Sequence, residues 1–154
     1  MAGRGTPAVA AVEQAGLPFR LHEYELDPAA PSLGLEAAAK LGLDPARVFK
    51  TLVVSLDGGH VFAVVPVDGR LDTKAVGKRA RLADAAEAER VTGYVKGGTS
   101  ALGGRKRLPV LLDESALEWE TIVVNAGRRG LQLELAPADL LALTGGSTAP
   151  LVRR

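Results

Sequence analysis

The 154-residue sequence predicts a mixed α/β (α+β) domain in which a curved, mostly antiparallel sheet is surrounded by helices. Three observations carry this. Two β-rich runs, 49–56 and 60–67, are separated by Asp57-Gly58-Gly59, whose residues tolerate the positive φ of a tight hairpin. Helical segments with recognisable caps are interspersed among the strands. The two kinds of element do not alternate strictly, so an all-parallel sheet is not expected.

The elements follow in order. Thr6 places a capping hydroxyl before Pro7 at the first helical position, and Val9, Val12 and Leu17 recur at spacings that line one side. This helix is expected to reach Ala15 and stop at Gly16. In the run 19–26, Phe19 and Leu21 share one face of a strand while Arg20, His22 and Tyr24 share the other. Ser32 caps a second helix through Lys40, Gly42 ends it, and Asp44-Pro45 opens a short turn that delivers the chain to Phe49. The stretches 73–82 and 84–90 are Ala-rich and read as helical, the first with Lys74, Lys78 and Arg81 on one face. Five glycines between Thr92 and Gly104, with few apolar anchors, indicate a loop of special backbone geometry. Short strands are expected at 109–112 and 121–124, and a half-exposed one at 131–135, where Leu alternates with Gln and Glu. The segment 125–130 turns between the last two. Pro137 opens a closing helix to Leu143, and Gly145-Gly146 begins a frayed tail.

Length and composition fit one domain over residues 1–154, with 47% hydrophobic and 24% charged residues. Aromatics are scarce, so the core must be Ala, Val and Leu. With no cysteine, a protein thiol nucleophile and thiolate metal ligands are excluded, and His22 and His60 offer no clustered metal spacing. No metal and no cofactor are expected. The N-terminus lacks the order of a signal peptide and no apolar run approaches the ~20 residues of a membrane span. The expectation is a cytoplasmic protein that does not engage a membrane.

Net charge is only +1, yet the stretch 74–107 holds nine basic and three acidic side chains, a local +6. Such segregation suits a polyanion such as RNA, because Lys and Arg gain affinity by neutralising phosphates. A solvated face explains it equally well.

Lys50 is the most informative position. The alternation Val48, Lys50, Leu52, Val54 places an ammonium in the phase of a strand otherwise reserved for aliphatics. Burying it without a partner is costly, and such groups are enriched at functional sites. At the strand's first residue it could also snorkel outward, and on the residues alone that explanation is the stronger. Thr51 points to the opposite face of a regular strand, and the Tyr24 phenol lies on the polar side of its own. The loop Gly97-Gly98-Thr99-Ser100 could present consecutive N–H groups to an oxyanion or phosphate, although no Walker sequence follows and most such loops are turns. Arg105-Lys106-Arg107 adjoins it, which couples the loop to anion recognition as a hypothesis. The turn carrying Gly127, Arg128 and Arg129 combines flexible backbone with two guanidinium groups. No G-x-S-x-G or H-E-x-x-H element marks a conventional hydrolase.

These segments resemble the YbaK family of Cys-tRNA(Pro) deacylases from end to end. The resemblance is carried by Thr6-Pro7-Ala8-Val9, His22-Glu23-Tyr24, Val48-Phe49-Lys50-Thr51-Leu52, Leu71-Asp72 and Thr92-Gly93-Tyr94. It continues through Gly97-Gly98-Thr99-Ser100, Lys106-Arg107-Leu108-Pro109, and Gly127-Arg128-Arg129-Gly130-Leu131 with Glu134-Leu135. It implies trans-editing of misacylated tRNA(Pro) without a cofactor, with prolyl-tRNA synthetase as a partner that presents the substrate in a ternary complex. It makes Lys50 the essential lysine. Tyr24, Thr51, Gly97, Gly98, Ser100 and Gly127 would line the pocket around the aminoacyl ester, and on the ground of charge Lys74, Lys78, Arg105, Lys106, Arg107 and Arg129 are the candidate nucleic-acid contacts. It further implies that the cysteinyl thiolate attacks its own ester. Where some members carry an acidic residue after the turn this chain has Gln132, which puts a carboxylate contribution from that wall in question. A water-using deacylase for alanyl, seryl or threonyl esters, or a non-catalytic module that binds tRNA or synthetase, are the competing expectations.

Overall fold

The computed structural model describes residues 5–30, 32–95, 97–104 and 106–153. Its first half follows the local signals closely. Helix α1 (Pro7–Ala15) starts where the Thr6 hydroxyl accepts the Val9 N–H and ends at Gly16, whose φ of 68° is the left-handed cap that glycine adopts without strain. Strand β1 (Arg20–Glu23) is followed by helix α2 (Leu33–Leu41), capped by the Ser32 hydroxyl and ended by Gly42. Strands β2 (Phe49–Leu56) and β3 (Gly59–Pro66) form the expected hairpin, with Leu56 opposite Gly59 and Lys50 opposite Val65. The two turn residues, Asp57 and Gly58, have φ of 49° and 81°, the double positive φ of a turn whose twist matches the strands.

Beyond the hairpin come β4 (Arg70–Leu71), helix α3 (Thr73–Val76), β5 (Arg81–Leu82), helix α4 (Ala85–Thr92) and β6 (Val110–Asp113). After a 3-10 turn at Glu114–Glu118 lie β7 (Ile122–Arg128), β8 (Leu131–Leu135), helix α5 (Pro137–Thr144), β9 (Ser147–Ala149) and β10 (Val152–Arg153). Three sheets result: β1-β8-β7, β5-β2-β3-β6-β9, and the pair β10-β4. Pairing is antiparallel except for β3/β6 and β6/β9. A parallel bridge between Val48 and Val123 joins the two larger sheets. Their inner faces share one core: Phe49, Val53, Phe62 and Val64 meet Ile122, Val124, Leu133 and Leu135, closed by Val9 and Val12 of α1 and Leu140 of α5. At roughly 1.5–3 kcal/mol for each large apolar side chain, this burial dominates the stability of a domain so poor in aromatics.

Three sequence expectations are corrected. The stretch 73–82 is not one helix. It ends at Val76, where Gly77 takes an extended backbone, and Arg81 lies in strand β5, so Lys74, Lys78 and Arg81 do not share a helical face. Alanine propensity there is outweighed by the pairing of Ser55 with Arg81 and Val54 with Leu82. The tail after Gly145-Gly146 is not frayed. Leu151 is fully buried and its N–H donates to the Asp113 carboxylate at 2.8 Å, while β9 and β10 complete two sheets. Strand β8 is not half-exposed either, because all its residues except Glu134 are buried.

Glu134 ties the two larger sheets together. Its carboxylate accepts from His22 at 2.7 Å, Arg47 at 2.6 Å and the Thr121 hydroxyl at 2.6 Å, and Arg47 also donates to the Thr121 carbonyl at 2.9 Å. Burial works to raise its pKa, but the Thr121 and His22 hydrogen bonds with the Arg47 charge hold it below the ordinary value of about 4.5. A carboxylate depressed by folding contributes stability that is complete above its unfolded pKa and disappears as pH falls through the folded one. Glu134→Gln is therefore expected to lower the melting temperature at pH 7 and to flatten its fall between pH 5 and 3. A thermal melt series of both proteins checks this.

Candidate functional site

A concavity of about 670 Å³ opens where β2 passes from the Val48–Val123 bridge toward β5. Residues 48–53 line it without interruption. A strand that offers only a face lines a cavity with alternate residues, so this run means that β2 presents its edge. The opposite wall comes from α2, whose Leu33 and Gly34 border the cavity, and from the loop bearing Gly97 and Thr99. Tyr24, Asn125, Arg129 and Gln132 also border it, as do Leu82, Ala83, Ala85 and Ala88.

Lys50 is half-buried and, among the described residues, makes no ion pair. Burial pushes its ammonium below the ordinary lysine value of 10.5, an effect the Asp68 carboxylate partly offsets. The exposed strand-end position offered by sequence is thus replaced by a partly desolvated cation facing a cavity, a condition that favours an anionic or strongly polar ligand. Tyr24 is also half-buried. Burial raises its pKa, a hydrogen bond with Gln132 opposes that rise, and the nearby Glu36 carboxylate adds to it. Tyr24 therefore stays a neutral phenol, linked to the Gln132 amide.

Of the residues singled out by sequence, Tyr24, Lys50, Thr51, Gly97 and Arg129 line this one cavity. Gly98, Ser100 and Gly127 do not line it and hold the walls in place. A Cβ on Gly98 would stand 2.9 Å from the Arg128 Cα, so the loop at 97–104 and the β7–β8 turn approach through glycine. The Gly98 N–H is given to the Val95 carbonyl at 2.9 Å. Ser100 is 1% exposed and its hydroxyl accepts the Leu102 N–H. Gly127, with φ of 100°, gives its N–H to Asn125. Lys74, Lys78 and Lys106 are exposed outside the cavity, and Arg107 reaches the Leu143 carbonyl at the end of α5. Arg105 lies outside the described residues.

Sequence reading missed Asn125. Buried on β7, it donates from Nδ2 to the Gly97 carbonyl at 2.8 Å and accepts the Gly127 N–H at 2.7 Å, so one amide fixes both glycine turns. Its position at a β-bulge, Asn-Ala-Gly after an apolar run, was the available signal. Asn125→Ala leaves both backbone groups without a partner, at a cost of about 2–3 kcal/mol. We expect a lower melting temperature, read from a thermal melt. Asn125→Asp keeps the acceptor for Gly127 but sets a buried carboxylate oxygen against the Gly97 carbonyl, so it should be at least as destabilising as Asn125→Ala.

The fold is an α/β domain whose cavity is bordered by one half-buried lysine and by glycine backbone, with no cluster of metal-ligating side chains among the described residues. The chain belongs to the aminoacyl-tRNA editing domain family, whose model matches residues 27–143. It is 38% identical over 156 aligned residues to a protein of Enterococcus faecalis named "Putative Cys-tRNA(Pro)/Cys-tRNA(Cys) deacylase EbsC", covering 97% of this chain and 94% of that one. Among solved structures it is similar to "a putative trans-editing enzyme for prolyl tRNA synthetase", with a TM-score of 0.83, 29% identity and 96% of each chain covered. It is also similar to a hypothetical protein with a TM-score of 0.85 and 28% identity, covering 96% of this chain and 100% of that one. The expected family and fold class are therefore shown. No helix among the described residues is long and apolar enough to cross a membrane.

Proposed function

We propose that this protein is an aminoacyl-tRNA deacylase that trans-edits Cys-tRNA(Pro). The observation that carries the reading is the Lys50 ammonium, half-buried and without an ion pair among the described residues, at the edge of a cavity that Gly97 also borders. Family membership and the resemblance to the named relatives support it. A pocket shaped for proline cannot reject cysteine strongly by binding alone, so discrimination has to come from a second selection that cleaves the wrong ester.

Among the described residues, the cavity lining holds no cysteine, histidine or carboxylate that could serve as nucleophile or base. That suits a route in which the substrate supplies the nucleophile. The cysteinyl thiolate forms a bond to its own ester carbonyl, the bond to the ribose oxygen breaks, that oxygen takes up a proton, and a thiolactone and free tRNA result. Holding the thiolate near the carbonyl is most of the catalysis, since oriented intramolecular attack reaches effective molarities of about 10⁵–10⁸ M. Lys50 anchors the terminal ribose or phosphate and adds positive charge beside the ester. The Gly97 N–H stabilises the oxyanion. Arg129, exposed at the cavity border, continues that positive field toward the acceptor stem, with Lys74, Lys78, Lys106 and Arg107 as the wider basic surface. The exposed basic surface is also compatible with prolyl-tRNA synthetase presenting the tRNA in a ternary complex, with the protein acting in the cytoplasm.

A deacylation time course over cysteinyl, alanyl, seryl and prolyl esters of tRNA(Pro) tests the reading. The cysteinyl ester is expected to react at least tenfold faster than the seryl ester. Equal rates would mean that water is the nucleophile, and binding without cleavage would mean a non-catalytic module.

A further inference from the structure

The main chain of β2 carries a recognition element that the side chains do not reveal. In the β2–β3 hairpin the even-numbered residues bond to β3, as the 2.8 Å bond from the Val67 N–H to the Val48 carbonyl shows. Odd-numbered residues therefore turn their N–H and C=O to the other edge. Two partners occupy the ends of that edge. Near Phe49, the Val123 N–H bonds the Arg47 carbonyl at 3.1 Å within the parallel bridge, and at Val53 the carbonyl accepts the Ala83 N–H at 2.9 Å. Between them the N–H and C=O of Thr51 face the edge, and no described residue hydrogen-bonds either. The cavity lies against this stretch.

The gap from residue 49 to 53 is about 13 Å long at ~3.3 Å per residue, and strands close it on both sides. An added peptide strand has no way through. One residue fits, and in an antiparallel pair one residue exchanges two hydrogen bonds with the residue opposite, through its own N–H and its own carbonyl. An α-aminoacyl ester has those two groups at that spacing. We propose that the aminoacyl group docks as a single extended residue against the open edge of β2, its ester carbonyl accepting from the Thr51 main-chain N–H and its α-ammonium donating to the Thr51 carbonyl.

The inference rests on the deacylase reading and adds to it. Directly opposed residues place their side chains on the same face of a sheet, so the L-acyl side chain stands beside the Thr51 side chain. The Thr51 N–H then joins Gly97 as a donor to the developing oxyanion. The docking is general for α-aminoacyl esters, and selection among them falls to what fills that face.

The test removes one hydrogen bond from each side. A backbone ester installed at Thr51, with an oxygen in place of the main-chain nitrogen and the side chain kept, is expected to lower kcat on Cys-tRNA(Pro) roughly 10²-fold, the usual effect of deleting an oxyanion donor. On the wild-type protein, 3-mercaptopropionyl-tRNA(Pro), which has the thiol and lacks the α-amine, should lose at least tenfold in kcat/KM after each rate is divided by that ester's uncatalysed rate. Full activity of a folded backbone-ester protein overturns the docking, whatever the second substrate does. Should that protein not fold, equal normalised cleavage of the two substrates by wild type overturns it. Wild-type protein that leaves every aminoacyl ester intact overturns the deacylase reading and the docking together, whereas the other two results leave that reading standing.

Discussion

Replacing Lys50 with methionine, which keeps the length of the side chain and removes its charge, is expected to reduce kcat/KM on Cys-tRNA(Pro) by roughly 10²–10³-fold, the range seen when a preorganised electrostatic contact to a transition state is deleted. Stability should move the other way. A lysine whose pKa is lowered by folding is protonated more readily in the unfolded chain, so at neutral pH the folded state bears a penalty that methionine relieves. A melting temperature equal to or above that of wild type, beside a collapsed rate, would separate loss of chemistry from loss of fold. The same shift predicts a pH profile. Activity on the cysteinyl ester should climb as the substrate thiol ionises and fall again as Lys50 loses its proton, at a pH below the ordinary 10.5 of lysine. Lys50→Arg should carry the descending limb upward, since a guanidinium does not titrate in that range. A descending limb unmoved by the arginine substitution would assign it to another group.

The second large effect is structural. Gly103 has φ of 68°, and a Cβ there would press on the Pro7 carbonyl and stand 2.8 Å from the Ala8 nitrogen. Both obstacles are backbone at the start of α1, so neither can swing aside. Gly103→Ala adds left-handed strain to overpacking, together about 2–4 kcal/mol. For a chain of this size, that is a fall in melting temperature of roughly 5–15 °C. By contrast Gly58→Ala meets nothing within 4 Å and carries only the φ penalty, so it should cost about 1 kcal/mol. A thermal melt of the two variants checks both. If the two lose equal stability, the contact between the loop at 97–104 and α1 is looser than described.

Local chemistry was most legible where one residue decides the backbone. Thr6-Pro7, Ser32, Gly16 and Gly42 bounded α1 and α2, and Asp57-Gly58 set the hairpin register, because caps and positive-φ turns depend on the residue itself and its nearest neighbours. The chain beyond Gly145 misled because Leu151 is buried among Val54, Ala63, Val65 and Leu71, and its N–H finds the carboxylate of Asp113, 38 residues earlier. The stretch 73–82 misled for a related reason: alanine favours helix only where nothing outbids it, and β2 offered Arg81 and Leu82 a strand to join.

For the candidate site, the sequence by itself determined that a lysine stood out of phase in an apolar strand, that glycine loops could bring backbone close, and that no cysteine could do the chemistry. Those are properties of residue types and of a two-residue period. Only the tertiary structure decided which of these meet. It placed Lys50, Gly97 and Arg129 around one cavity, sent Arg107 to the end of α5, made Ser100 a buried brace, and gave Asn125 the task of joining two turns. It alone showed that β2 faces the cavity with its edge. The reason is physical: which side of a strand lies open depends on the other strands that pair with it, here β5 near one end and β7 near the other, and that pairing is settled by contacts far apart in the chain.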